Sequence, residues 1–141
     1  MEKKYIKTLL KLANKARRND ESPIAAIIVY KNKIIAKAYN RRRSTNLTIS
    51  HAEIDVISKA NKKLGDWRLN NCTLYVTMKP CEMCEKVIKE ARIDKVYYLV
   101  ERESFKRQYD KTQIIKHEGT EHSDYIKKYT TIIKNFWKNK R

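Results

Sequence analysis

The sequence predicts an α/β fold, a three-layer α-β-α domain in which a mixed sheet of about five strands is flanked by helices. Segments with helical spacing of apolar residues alternate with short β-branched and aromatic runs, in the order α-β-β-α-β-α-β-(β)-α. Glycine and proline occur only twice each, and no repeat or low-complexity stretch separates the segments. We therefore expect a single domain over residues 1–141.

The first third of the chain predicts one helix and a β-hairpin. Apolar residues recur at helical spacing, with lysines on the opposite face, at Ile6, Leu9, Leu10, Ala13 and Ala16. After Pro23, the apolar run IAAIIVY indicates a buried strand, and a turn at 31–33 leads into its hairpin partner IIAKAY. The basic stretch 40–48 has no periodicity, so we interpret it as a loop.

The next part of the chain predicts two further helix–strand pairs. A helix begins near His51 and ends shortly before Gly65, and the run CTLYVT that follows is typical of a strand. Pro80 stands where a first helical turn tolerates proline, ahead of a second helix. The run KVYYLV at 95–100 predicts another strand.

The C-terminal part predicts one more strand and a last helix. The run at 113–116 is interpreted as the strand. Apolar residues at helical spacing then mark an amphipathic helix that ends in a basic tail, at Tyr125, Ile126, Tyr129, Ile133, Phe136 and Trp137.

Composition narrows the function classes. The chain has 141 residues, with 33 Lys and Arg against 16 Asp and Glu, and a net charge of +17. Such an excess on a small domain favours a polyanionic partner. No apolar run approaches the length of a membrane span, and the amphipathic N-terminus argues against a secretory signal. We expect no membrane partner and a cytoplasmic location.

Two short segments carry the chemistry, His51-Ala52-Glu53 and Pro80-Cys81-Glu82-Met83-Cys84, and each opens a predicted helix. Two sulfurs and one imidazole form a ligand set suited to Zn²⁺. Structural zinc sites use four protein ligands, whereas His51, Cys81 and Cys84 supply three, so a position remains for water. This count predicts a catalytic site, where zinc lowers the pKa of its water toward about 7.

Other interpretations of these residues stay open. A Cys-x-x-Cys pair in an intracellular chain can be a redox pair, and His117 or His122 could complete a four-ligand structural zinc site. Cys72 lies in an apolar strand and is interpreted as a core residue.

Glu53 is the candidate proton shuttle, because hydrolytic deamination moves a proton from water to a ring nitrogen and then to the leaving amine. Positions i and i+2 of a regular helix do not share a face. His51 and Glu53 can therefore converge only at the mouth of the helix. Together, the two segments match the His-x-Glu…Pro-Cys-x-x-Cys pattern of zinc nucleobase deaminases.

With these residues in place, the sequence resembles the cytidine/deoxycytidylate deaminase superfamily and, within it, the bacterial tRNA-specific adenosine deaminases. The resemblance covers most of the chain and rests on PIAA at 23–26, HAEI at 51–54, DWRLNNCTLYVTMKPCEMC at 66–84 and ARIDKVYY at 91–98. The chain departs from the family pattern at Ser50, Lys79, Glu85-Lys86 and the 101–107 segment.

The resemblance implies a cytidine-deaminase-like domain that converts the wobble adenosine of a tRNA anticodon to inosine. It also implies one zinc per subunit on His51, Cys81 and Cys84, proton transfer by Glu53, a flipped base in contact with Asn40, and a homodimer. The tRNA anticodon stem-loop would be the partner, with Arg41, Arg42, Arg43 and the lysines of the last helix as candidate RNA contacts.

Two other functions compete with tRNA deamination. The same zinc chemistry serves small-molecule deaminases acting on dCMP, cytosine or guanine, although a charge of +17 exceeds what a free nucleotide needs. A catalytically silent, zinc-stabilised RNA-binding module is the third hypothesis, and an intact Glu53 argues against it.

Overall fold

The computed structural model describes residues 1–102, 111–120, 122–138 and 140. The chain divides into two compact units, Met1–Ser104 and Phe105–Arg141, and the single domain expected over 1–141 stays a prediction. In the first unit the elements are α1 (Lys3–Arg18), β1 (Ala25–Tyr30), β2 (Lys33–Tyr39), α2 (Arg42–Thr45), α3 (Ala52–Leu64), β3 (Cys72–Met78), α4 (Glu82–Glu90) and β4 (Lys95–Val100). The second unit holds α5 (Ser123–Lys138).

The four strands of the first unit form one mixed sheet in the order β2-β1-β3-β4. Strand β1 is antiparallel to both β2 and β3, whereas β3 and β4 run parallel. The turn between β1 and β2 is tight, with positive φ at Lys31 and Asn32, as the two-residue turns that suit a twisted hairpin require. The predicted fold class is confirmed.

Helices cover both faces of this sheet, which gives the predicted three layers. Alternate residues of β1 point to opposite faces, so Ala25 and Ile27 pack with Leu9 of α1 while Ile28 packs with Val56 of α3. Both faces of β1 are therefore buried, which explains its unbroken apolar run. Side chains buried as completely as Leu9, Ile27 and Ile28 contribute roughly 1.5–3 kcal/mol each, so the sheet is a firm base for the site.

Two sequence predictions are wrong in detail. The sheet has four strands among the described residues rather than about five, since 113–116 forms no strand. Ile114 and Ile115 are highly exposed there, and no strand of the described chain pairs with this short run. The stretch 40–48 is not all loop, because α2 lies within it; a four-residue helix is too short to show a period.

Helix α5 confirms the last predicted helix, and none of its residues is buried. Most of the 101–107 segment and part of the predicted basic tail lie outside the described residues. No helix in the described ranges is both long and apolar enough to cross a membrane.

Candidate active site

The two predicted motifs lie at the starts of neighbouring helices. His51 is the N-cap residue of α3 and Cys81 that of α4, and both have extended backbone conformations. Neither residue's side chain makes a capping hydrogen bond to its helix, although polar N-cap side chains usually do. Both side chains are thus available to the site.

Three candidate metal ligands converge there. The His51 Nδ1 atom lies 3.8 Å from Cys81 Sγ and 3.5 Å from Cys84 Sγ, and the ligand atoms of all three residues lie within 4.8 Å of one another. Around one tetrahedral zinc ion, with bonds of about 2.3 Å to sulfur and about 2.0–2.1 Å to nitrogen, such atoms are roughly 3.5–3.8 Å apart. The His-Cys-Cys group therefore fits a zinc site.

The two cysteines differ in their protonation. Hydrogen bonds from Cys84 and His51 lower the pKa of Cys81 to about 3. The pKa of Cys84 is raised, because its thiol donates to Cys81, is buried and lies near the Glu53 carboxylate. The hydrogen bond between the two sulfurs thus favours the thiolate of Cys81, and thiolate is the form that binds a metal.

Glu53 is buried beside these ligands, with a relative exposure of 1%. Its Oε1 is a buried atom with no hydrogen-bond partner in the described structure, and its carboxyl group interacts with the Cys84 thiol. Burial raises the pKa of Glu53 above 4.5, against a smaller opposing effect from Cys84. Because His51 precedes the first helical residue, the i, i+2 spacing does not keep the two side chains apart.

Asn40 follows β2 and supports the start of α3. Its Oδ1 accepts a hydrogen bond from the backbone N–H of Ala52 at 2.8 Å, and its own N–H donates to the carbonyl of Ile24. No described residue accepts a hydrogen bond from Asn40 Nδ2. Asn40 and His51 line the same cavity, so this amide is placed as a donor next to the metal ligands.

That cavity has a volume of about 510 Å³ and a strongly basic wall. Arg42 and Arg43, two of the predicted RNA contacts, line it, whereas Arg41 does not. Arg17 and Arg102 line it as well. Nothing in the local sequence pattern connects these two arginines with the motifs.

Glu21 organises one side of the cavity and was also missed. Its carboxylate accepts hydrogen bonds from the backbone N–H groups of Arg43 and Ser44 and from the Ser44 hydroxyl, at 2.7–2.9 Å. Burial opposes ionisation of this carboxyl group, but the bonds from Ser44 and Arg43 outweigh it and lower its pKa. Glu21 is only 6% exposed although it lies in a turn. This burial is visible in the structure and cannot be read from the sequence.

The remaining candidates are Cys72, His117 and His122. Cys72 is fully buried in the apolar core, as predicted. His117 and His122 lie in the second unit with ring centroids 6.2 Å apart, and the four-ligand structural site that would need one of them stays an open hypothesis.

A family model for MafB19-like deaminases matches residues 1–141. A tRNA-specific adenosine deaminase of Bacillus subtilis is 45% identical over 94 residues, covering 67% of this chain but only 58% of the relative. One from Buchnera aphidicola is 36% identical and covers 97% of this chain and 94% of the relative. The match thus spans about three fifths of the first relative and nearly all of the second.

Two solved structures share the fold. One, from a study of A-to-I editing by tRNA:A34 deaminases, has 41% identity and a TM-score of 0.68, covering 69% of this chain and 75% of that one. The other is guanine deaminase from Bacillus subtilis, with 27% identity and a TM-score of 0.73 over 93% of this chain and 95% of that one.

Proposed function

Since the chain belongs to the MafB19-like deaminase family, we propose that it catalyses the hydrolytic deamination of adenosine to inosine at the wobble position of a tRNA anticodon. One observation carries the proposal: three soft metal ligands lie within 4.8 Å of one another beside a buried carboxylate with an unpartnered oxygen. Relatives named tRNA-specific adenosine deaminase support the choice of substrate.

In the proposed site, His51, Cys81 and Cys84 hold one zinc ion per subunit. When bound, the metal supplies Lewis-acid activation of water near neutral pH. Three protein ligands leave the coordination sphere open for that purpose. The protein's part is to fix the ligands at two helix starts that pack on a common sheet.

Glu53 moves the protons in this proposal. Its Oε1 takes a proton from the attacking water and passes it to the ring nitrogen next to the amino carbon, and the remaining proton of that water goes to the departing amine. Water and adenosine are thereby converted to inosine and ammonia. A carboxyl pKa raised by burial suits a group that must both accept and release a proton near neutral pH.

Asn40 and the arginines position the substrate. The Nδ2 of Asn40 donates to an acceptor on the flipped base, while its Oδ1 stays committed to Ala52. The proposed RNA contacts are Arg41, Arg42 and Arg43. Of these, Arg42 and Arg43 line the cavity that is proposed to receive the base. A tRNA substrate implies a cytoplasmic location, and the family resemblance implies a homodimer.

Guanine deamination is the second candidate, because the guanine deaminase fold matches this chain over 93% of its length. A free base, however, carries no negative charge that could pair with Arg17, Arg42 and Arg102 in the cavity. The preference between the two functions therefore depends on the charge of the cavity as well as on sequence identity.

The test is incubation of the zinc-loaded protein with an unmodified tRNA pool, followed by inosine mapping, and with guanine, cytosine and dCMP, followed by ammonia release. We expect inosine at a wobble position and little release from the small molecules. Turnover of a small molecule without inosine in any tRNA would overturn the proposal. The Glu53→Gln variant controls for contaminating deaminase.

A further inference from the structure

We propose that the arginine-lined cavity beside the metal ligands binds a phosphate group of the nucleotide whose base is deaminated. Arg17, Arg42 and Arg102 provide the contacts. This inference rests on the proposed deaminase function and specifies its substrate class: the substrate carries a phosphate next to the reacting nucleoside.

The charges of the cavity wall do not balance. Of its two acidic residues, Asp20 pairs with Arg43, and both carboxylate oxygens of Glu21 accept hydrogen bonds from the α2 segment. Among the described ion pairs, none includes Arg17 or Arg42. Both guanidinium groups thus line one cavity with no carboxylate partner in the described part of the chain.

Arg102 adds a third cation. Its Nε donates to the carbonyl of Lys79 at 3.1 Å, which fixes the side chain through one nitrogen and leaves the two terminal nitrogens as donors. The guanidinium is planar and pairs with phosphate oxygens in a bidentate manner. Three such groups lining one cavity give it a positive potential that favours an anion.

The position of the three arginines fits a nucleotide. They come from the end of α1, from α2 and from the residue after Glu101, yet all line one cavity together with Asn40 and His51. When a base reaches the candidate metal ligands, its sugar and phosphate lie toward the cavity wall. A free base lacks that group and would leave the arginines unneutralised.

Glu21 keeps this wall in place. It joins the α1–β1 turn to α2 through its bonds to Arg43 and Ser44, and the neighbouring Asp20 adds the ion pair to Arg43. The backbone of α2 is therefore tied to the turn that follows α1. The site is built across two turns rather than on one flexible loop.

A matched pair of variants tests the proposal, Arg17→Gln and Arg18→Gln. The two residues are adjacent and lose the same charge, but Arg18 lines a different groove, with Lys11, Lys15 and Lys37. Each variant is measured for binding to an anticodon stem-loop RNA by fluorescence anisotropy, and thermal melting confirms folding. We expect Arg17→Gln to weaken binding about tenfold and to reduce the salt slope by about 0.7.

RNAs with one uncharged phosphate analogue show which phosphate of the RNA the cavity binds. Methylphosphonate replaces the phosphate on the 5′ or the 3′ side of the target adenosine in two otherwise identical RNAs. At one of the two positions, wild type and Arg18→Gln should lose about tenfold in affinity, while Arg17→Gln should lose clearly less, because one of the three proposed phosphate contacts is already gone. The proposal is wrong if Arg17→Gln loses as much affinity as wild type at both methylphosphonate positions. It is also wrong if Arg17→Gln and Arg18→Gln have the same affinity in every measurement.

Kinetics with small substrates distinguish a failure of the phosphate site from a failure of the proposed tRNA substrate. If the protein deaminates a free mononucleotide such as dCMP instead of tRNA, Arg17→Gln should still raise its KM about tenfold, and Arg18→Gln should not. That outcome supports the phosphate site while rejecting tRNA as substrate. Turnover of free guanine alone, with a KM that Arg17→Gln does not change, rejects the phosphate site.

Discussion

Asn40 has two functions that a pair of substitutions can separate. Its Oδ1 accepts the hydrogen bond from Ala52 at the start of α3, and its Nδ2 is the proposed donor to the base. Asn40→Ala removes both groups. Asn40→Asp keeps an acceptor for Ala52 and removes the donor, so stability and activity should respond differently to the two changes.

The magnitudes follow from the surroundings of this side chain. Asn40 is 7% exposed, so Asn40→Ala leaves the Ala52 N–H without its partner at a helix start, which costs about 1–2 kcal/mol. For a chain of this size, this lowers the melting temperature by roughly 3–8 °C. Asn40→Asp keeps the bond and puts a negative charge at a helix N-terminus, so its melting temperature should stay within about 2 °C of wild type.

The activities of Asn40→Ala and Asn40→Asp should follow a different order from their melting temperatures. Both lose the donor, so kcat/KM for a stem-loop RNA should fall at least about tenfold in each. Asn40→Asp should lose more, because its carboxylate faces an acceptor on the base. Calorimetry and inosine quantification on the same zinc-loaded samples provide the two readouts. Full activity in Asn40→Asp, or wild-type melting of Asn40→Ala, would refute this division of roles.

Three further predictions concern the metal ligands and the buried acids. Glu53→Gln should lower kcat about 10²–10⁴-fold without lowering the melting temperature, because a buried carboxyl with an unpartnered oxygen is removed; retained activity would exclude Glu53 from proton transfer. Cys84→Ser should lose zinc, measured by atomic absorption, and stability together; a fully metallated variant would contradict the ligand assignment. The lowered pKa of Glu21 contributes stability that is present above its ordinary value of 4.5 and is lost as pH falls through the lower folded pKa; Glu21→Gln should therefore melt lower than wild type at pH 7, with a difference that narrows in acid.

The sequence predicts that three candidate ligand side chains meet, because each belongs to a short motif at a helix start. His51, Cys81 and Cys84 stand at helix starts, and a helix start is recognisable from a proline, a polar loop and the first apolar repeat. Arg17 and Arg102 are different. They line one cavity only because the fold brings the end of α1 and the residues after β4 to it, and no local pattern encodes that placement.

The errors in secondary structure have a similar origin. The run at 113–116 contains two isoleucines and so resembles a strand, but a strand exists only with a partner, and β propensity mostly measures packing against neighbours. Helix α2 depends on Glu21, a residue 22 positions away from Arg43. Tertiary contacts decided both segments.

The missing side-chain caps on α3 and α4 have a consequence for how the protein opens. The residue that would normally secure each first turn is a candidate metal ligand instead. Anything that disturbs His51 or Cys81 therefore loosens two helix starts at once. In hydrogen–deuterium exchange, the first-turn amides of α3 and α4 should lose protection together and well before the amides of β1, so that these two helix starts behave as one cooperative unit of local unfolding.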